Sequence, residues 1–124
     1  MIRLPLKPTL EAGNAGSATN NATGATKLSG LLLGFYVEYL GSAPATTDTT
    51  IEAVSGIMPT RTLLVLTNIN TSGYYPVRRQ VKDTAGADIA GTYDPQPLAV
   101  DNIKVTIAQA DSGSYVRVYP FFVR

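Results

Sequence analysis

The sequence predicts an all-β protein, a single antiparallel β-sandwich or jelly-roll-like domain over residues 31–124, preceded by a flexible N-terminal arm over residues 1–30. Apolar and polar residues alternate with a period of two in several stretches, which is typical of half-buried strands. Gly, Pro, Asn and Asp separate these stretches at intervals of about 8 to 12 residues, as in sandwiches and barrels. No stretch after residue 30 carries the i, i+3, i+4 apolar stripe of a helix.

The arm has two parts. Residues 1–8, MIRLPLKP, are interrupted by Pro5 and Pro8, which suits an extended segment at a sheet edge and does not suit the apolar run of a signal peptide. Residues 9–30 are rich in Gly, Ala, Asn, Ser and Thr, and they lack the apolar residues needed to bury a core alone. The arm is therefore either a flexible linker or a segment that becomes ordered on a neighbouring molecule.

The first strands are predicted from alternation and turn residues. The run LLLGFYVEYL places alternate side chains on two faces, with a bulge or bend at Gly34. One face carries Phe35, Val37 and Tyr39, and the other carries Tyr36, Glu38 and Leu40. Residues 41–48 are a turn-rich connection, and residues 49–54 are a short strand.

The middle of the chain contains two further predicted strands. Residues 61–68, RTLLVLTN, are apolar and predict a strand that is buried on both faces. Residues 74–82, YYPVRRQVK, predict a strand whose Pro76 requires an edge position or a bulge. A D-x-x-G turn follows, in which Asp83 accepts hydrogen bonds from nearby backbone and Gly86 adopts positive φ.

The last part predicts a connection followed by two strands. Residues 92–101 contain Pro95 and Pro97 and predict a connection. Residues 102–110 alternate, with Ile103, Val105 and Ile107 directed inward. Residues 110–113, ADSG, predict a tight hairpin turn into a final strand over residues 114–123.

The composition disfavours most enzyme classes. The chain has no Cys and no His, so it lacks thiolate ligands, the commonest metal ligand and the commonest general base. We expect no cofactor and no catalytic residues. A pair of carboxylates, Glu38 with Glu52, stays open as a glycosidase alternative, because the sequence does not show their separation. A net charge of +1 disfavours nucleic acid and anionic membranes as partners.

Tyrosines and arginines indicate an adhesive surface. Adjacent residues of a strand face opposite ways, so the YYPVRR segment exposes one Tyr and one Arg whichever face is buried. The last strand repeats this combination opposite its valines. Tyr and Arg are enriched in protein–protein hot spots. The predicted interface residues are Tyr74, Tyr75, Arg78, Arg79, Tyr115, Arg117 and Tyr119.

Four motifs together resemble small head-associated virion proteins of tailed bacteriophages. They are a Y-V-x-Y strand, the turn GSAPATTD, a Y-Y-P strand and the hairpin D-x-x-G-x-x-I-x-G-x-Y-D, and the similarity extends over about residues 28 to 123. The resemblance implies a structural decoration or cement protein on the capsid exterior and transfers no catalytic residue.

From this resemblance we expect the major capsid protein as partner and a homo-oligomer, with a trimer favoured. We also expect location on the capsid surface of a virion assembled in the host cytoplasm. The alternatives are a neck or tail structural protein and an immunoglobulin-like or lectin-like module that binds carbohydrate through its tyrosines.

Overall fold

The computed structural model describes residues 18–56, 58–111 and 113–123, and these residues form nine β-strands. The strands are β1 (Ala18–Thr23), β2 (Leu28–Leu40), β3 (Asp48–Val54), β4 (Arg61–Leu66), β5 (Gly73–Pro76), β6 (Arg79–Lys82), β7 (Asp88–Asp94), β8 (Gln96–Ala110) and β9 (Tyr115–Val123). All their pairings are antiparallel, which confirms the all-β sandwich prediction. Among the described residues no helix is long and apolar enough to cross a bilayer.

Two packed layers share one long strand. In the front layer, β2 pairs with β9 on one side and with β5 and the first part of β8 on the other. In the back layer, the second part of β8 lies between β1 and β3, and β4 pairs with the far side of β3. Strands β6 and β7 form a separate two-stranded hairpin.

β8 passes from the front layer to the back layer at residues 99–101. Val100 has a φ of 54°, an uncommon conformation for a β-branched residue. The buried side chains of β8 have even numbers before this point, as in Leu98, and odd numbers after it, as in Asp101 and Ile103. The carboxylate of Asp101 accepts the Ala99 N–H at 2.7 Å and holds this bend. Such bends are a usual way for one strand to take part in two sheets.

The core lies between the layers and follows the predicted alternation. Phe35 and Val37 of β2 are fully buried, as are Ile103 and Val105 of β8. Tyr39 also points inward, and its hydroxyl forms a 2.9 Å hydrogen bond with the Thr49 hydroxyl of β3, so it joins the two layers. The predicted alternation of β2 and the predicted inward faces of β8 and β9 are confirmed.

The D-x-x-G turn is confirmed. The Asp83 carboxylate accepts the backbone N–H groups of Ala85 and Ala87, at 2.8 and 3.0 Å. Gly86 has a φ of 82°. Side-chain capping and positive φ close this turn as the sequence predicts.

Two predictions for the middle of the chain are wrong. Residues 61–68 are not buried on both faces, because β4 lies at the edge of the back layer and leaves Val65 57% exposed. Residues 74–82 are not one strand: β5 ends at Pro76, the buried Val77 donates its N–H to the Leu33 carbonyl, and β6 begins at Arg79. The predicted edge position of the Pro76 strand is confirmed, since β5 lies at the end of the strand order in the front layer.

Two predictions for the last part also fail. Residues 92–101 are not a connection, because β8 begins at Gln96 and pairs with β2 through Pro97 and Leu98. The turn after β8 is closed by the Ser114 hydroxyl donating to the Asp111 carbonyl at 2.6 Å. It is not a hairpin turn within the described residues, because β8 continues in the back layer while β9 pairs with β2 in the front layer.

The sandwich includes part of the predicted arm. Residues 18–30 contain β1, which pairs with β8, and the start of β2. The polar residues of β1 form a strand because β8 supplies a ready-made partner, a contact that composition does not reveal. Residues 1–17 lie outside the described residues, and so does the prediction of a flexible arm over them.

Removal of Arg61 is expected to destabilise the fold strongly. The Arg61 guanidinium contacts the fully buried Asp101 carboxylate, mainly as a contact of opposite charges rather than an aligned hydrogen bond. Arg61→Ala leaves that carboxylate buried without a counter-ion, which costs about 3–5 kcal/mol. Urea unfolding measures this loss. The matched control is Arg79→Ala, which breaks the exposed Arg79–Asp94 pair and costs at most about 1 kcal/mol. Equal losses in the two variants would contradict the structural role of the buried pair.

Tyr39 is expected to make the fold sensitive to alkali. Burial raises the pKa of the Tyr39 phenol above its ordinary value, so the folded state holds this proton more tightly than the unfolded chain. The resulting stability is present below pH of about 10 and is lost as the pH rises through the raised folded-state pKa. Tyr39→Phe should reduce the alkaline fall in unfolding free energy and cost about 1 kcal/mol at neutral pH through the lost hydrogen bond.

The counterpart to Tyr39→Phe is Thr49→Val, which removes the hydrogen bond and keeps the burial of the phenol. This variant should retain the alkaline fall. Denaturant unfolding from neutral pH to pH of about 11 compares both variants with the parent. An unchanged alkaline slope in Tyr39→Phe would show that other groups cause it.

Candidate interaction surface

The outward face of the front layer carries a continuous group of aromatic side chains. The register places Tyr36 of β2 opposite Tyr119 of β9 on one side and opposite Tyr74 of β5 on the other. The Tyr36 and Tyr119 rings lie 6.0 Å apart between centroids. We call this surface the aromatic face and define it as Tyr36, Tyr74, Tyr115, Tyr119 and Phe121.

Gly34 allows Tyr74 to reach across β2. Tyr74 lies 5.7 Å from Phe121 between ring centroids, in an edge-to-face arrangement, although β5 and β9 are on opposite sides of β2. A Cβ atom at Gly34 would lie 2.6 Å from the Tyr74 hydroxyl and 2.7 Å from the Tyr75 carbonyl oxygen. The missing side chain therefore makes room for the aromatic contact.

A paired charge sits within the aromatic face. Arg117 lies opposite Glu38 across β9 and β2, and their side chains meet at 3.5 Å. Arg117 also lies 3.5 Å from the Tyr119 hydroxyl, and this hydrogen bond raises the pKa of the guanidinium above its ordinary value. These two contacts fix the position of the Arg117 guanidinium on the aromatic face.

The structure brings four of the predicted interface residues together. Tyr74, Tyr115, Arg117 and Tyr119 come from two strands far apart in sequence, and β2 joins them into one surface. Tyr74 is 47% exposed, and the three residues of β9 are half-buried. Their side chains face opposite to the fully buried Val116 and Val118.

The other three predicted residues lie away from the aromatic face. Tyr75 points inward against the core and donates its hydroxyl to the Thr71 carbonyl at 2.6 Å. Arg78 donates to the Leu33 carbonyl at 2.8 Å, at the irregularity where β2 shifts register against β9. Arg79 forms two hydrogen bonds with Asp94 at the base of the β6–β7 hairpin. The structure thus gives each of these residues an intramolecular contact.

Sequence reasoning did not include Tyr36, Glu38 and Phe121 in the site. The signal for the first two was present, because the alternation of β2 puts Tyr36 and Glu38 opposite the core residues Phe35 and Val37. Phe121 occupies the same outward parity as Tyr119 on β9. The alternation does not show that β5, β2 and β9 pair with one another, and this pairing makes the residues neighbours.

The β6–β7 hairpin is a second exposed element. β7 is exposed along nearly its whole length, and its Tyr93 and Ile89 are 59% and 41% exposed. Ion pairs Arg79–Asp94 and Lys82–Asp88 tie the two strands together. An isolated two-stranded ribbon has little stability in water, so these pairs help to maintain it.

The carboxylate pair considered for glycoside hydrolysis is not formed. Glu38 faces outward on the front layer, while Glu52 alternates with the buried Ile51 and Ala53 and faces outward on the back layer. Packed sheets lie about 10 Å apart, so these carboxylates, directed away from each other, lie farther apart than that. Within the described part of the chain, no three acidic side chains are grouped so that they could hold a metal ion.

No family model, characterised protein or solved structure matches this chain. The aromatic face is therefore interpreted from its own geometry.

A side chain at Gly34 is expected to disrupt the aromatic face. In Gly34→Ala the new methyl group collides with the Tyr74 ring and with backbone of β5, and the latter cannot move without loss of strand pairing. We expect a loss of about 1–3 kcal/mol, as for other overpacked sites, and a changed near-ultraviolet circular dichroism of tyrosine. Gly56→Ala is the matched control, because a Cβ there meets no atom within 4 Å. A spectrum and stability equal to those of the control would contradict the close packing of Tyr74.

Proposed function

We propose that this protein is a structural protein of a bacteriophage virion that decorates the capsid and stabilises it through protein–protein contacts made by the aromatic face. The observation that carries the proposal is the continuity of the aromatic face over β5, β2 and β9. The virion setting comes from the resemblance of the sequence motifs to head-associated phage proteins.

The chemistry of the aromatic face supports a protein partner. Tyr and Arg dominate binding hot spots, because they bury large areas and retain polar groups for hydrogen bonds. Tyr36, Tyr74 and Tyr119 are already held by ring contacts, so they lose little conformational freedom on binding. Arg117 already has Glu38 as its counter-ion, and docking therefore does not bury an unpaired charge.

A capsid lattice suits a surface of moderate affinity. The protein would bind at many equivalent positions of the major capsid protein, as a homo-oligomer with a trimer favoured. Binding of several linked copies multiplies the affinity of each contact. A rigid sheet that presents shallow aromatic contacts can therefore stabilise a shell without a deep pocket.

Loss of two tyrosines is expected to weaken binding to capsids. The test uses heads of the phage that encodes the chain, produced without this protein, to which purified protein is added back. Each removed hot-spot side chain costs about 2 kcal/mol, so Tyr36→Ala with Tyr74→Ala should weaken binding by roughly a hundredfold or more in sedimentation assays. The heads should also lose the added resistance to heat.

The matched control is Tyr93→Ala, which removes a 59% exposed tyrosine on the hairpin and leaves the aromatic face intact. This variant should bind capsids within threefold of the parent. If labelled protein binds only at the neck or tail vertex of the particle, the result would support a neck or tail role instead of capsid decoration. Binding to a glycan array that requires Tyr74, without binding to heads, would establish the carbohydrate-binding alternative.

A further inference from the structure

The aromatic face contains one pair of phenol rings in direct contact. Tyr36 and Tyr119 stand opposite each other in the β2–β9 pairing, an arrangement that sets Cβ atoms about 4.5–5.5 Å apart. Their ring centroids are 6.0 Å apart, and the ring planes are tilted by 51°. Among the described residues this is the only ring contact between two tyrosines, because the other close pair joins Tyr74 to Phe121.

The two phenol rings are held as neighbours and are accessible from solvent. The strands that carry them are fixed on the inner side by the fully buried Phe35, Val37 and Val118, so the spacing of the two backbones changes little. Tyr36 is 36% exposed and Tyr119 is half-buried, so a dissolved oxidant reaches both rings. Side chains at a surface rotate quickly about their own bonds, which lets the two ring edges meet.

The composition directs one-electron oxidation to tyrosine. The chain has no Cys, no Trp and no His, so the phenols are its most readily oxidised aromatic groups. Its two methionines react with peroxide in a different way, by two-electron transfer of an oxygen atom to the sulfur. A phenol that loses one electron and one proton becomes a phenoxyl radical, whose unpaired electron is shared with the ring carbons next to the C–O carbon. Two such radicals in contact join through these carbons.

We propose that Tyr36 and Tyr119 are a site of oxidative crosslinking, where a peroxidase-type oxidant acting with hydrogen peroxide forms a dityrosine bond between β2 and β9. Each phenol gives up one electron and one proton, and one carbon of each ring forms the new C–C bond. The hydrogens displaced from these carbons move to the phenol oxygens as the rings regain aromaticity. The two electrons and two protons reduce one hydrogen peroxide to two waters. The inference does not depend on the proposed capsid partner.

The crosslink would staple the front layer. It joins two residues that are far apart in the chain, and such a link restricts the unfolded state in the way that a disulfide does. The chain has no cysteine with which to form a disulfide. We expect the crosslinked protein to unfold at a urea concentration higher by about 1 M or more.

Exposure and proximity predict different products. By exposure alone, Tyr93 and Tyr74, at 59% and 47%, would react first and link separate molecules. Proximity predicts a link within one chain, because a reaction between groups already in contact is effectively unimolecular. The Tyr74 ring lies against Phe121, which has no hydroxyl group to oxidise, so this contact gives no dityrosine.

One-electron oxidation of the dilute purified protein tests the proposal. A photo-excited ruthenium complex with persulfate supplies the oxidant, dityrosine fluorescence follows the reaction, and mass spectrometry of peptides locates a link by the loss of two hydrogen atoms. We expect at least tenfold more Tyr36–Tyr119 link within monomers than links between molecules. The crosslinked monomer is then separated and unfolded in urea.

Three variants keep an aromatic ring at each position and change only the phenol groups. Tyr36→Phe should lower the dityrosine yield within monomers at least tenfold. Tyr93→Phe, the matched control, removes the most exposed phenol and should leave that yield within twofold of the parent. Phe121→Tyr places a second phenol beside Tyr74 and should add a second link within the chain.

Two results would overturn the crosslinking site. They are a dityrosine yield in Tyr36→Phe monomers equal to that of the parent, and links between molecules through Tyr93 as the main product. An unchanged urea midpoint in the crosslinked monomer would overturn its stabilising role.

Discussion

The two layers of this protein are joined by the path of β8, whose bend at residues 99–101 sets how the sheets face each other. The bend places Val100 in an unusual backbone conformation and brings the carboxylate of Asp101 into the interior. That carboxylate holds the Ala99 N–H and meets the Arg61 guanidinium of β4. A buried charge, its counter-ion and the change of sheet therefore depend on one another, and the packing of both core faces depends on all three.

The aromatic face is a consequence of the same architecture. With one side of the front layer committed to the core, every second residue of β2, β5 and β9 must face outward. β2 lies between the other two strands, and the absence of a side chain at Gly34 lets Tyr74 and Phe121 meet above it. The core side gives rigidity to the aromatic side, because the strands that present the tyrosines are fixed by Phe35, Val37, Val116 and Val118. A rigid platform suits binding, since little freedom remains to be lost.

The sequence by itself determined the all-β class, the alternation of β2, the inward faces of β8 and β9 and the Asp83 turn, because alternation and turn chemistry are local properties. It also identified Tyr115, Arg117 and Tyr119 as outward residues, and it left open which of Tyr74 and Tyr75 faces outward. Only the tertiary structure decided that β1 is a strand, that β8 extends through Pro97, that β4 lies at an edge and that Tyr75 points inward. Pairing of strands joins residues distant in the chain, and the hydrogen bonds that select one partner over another leave no mark on local periodicity.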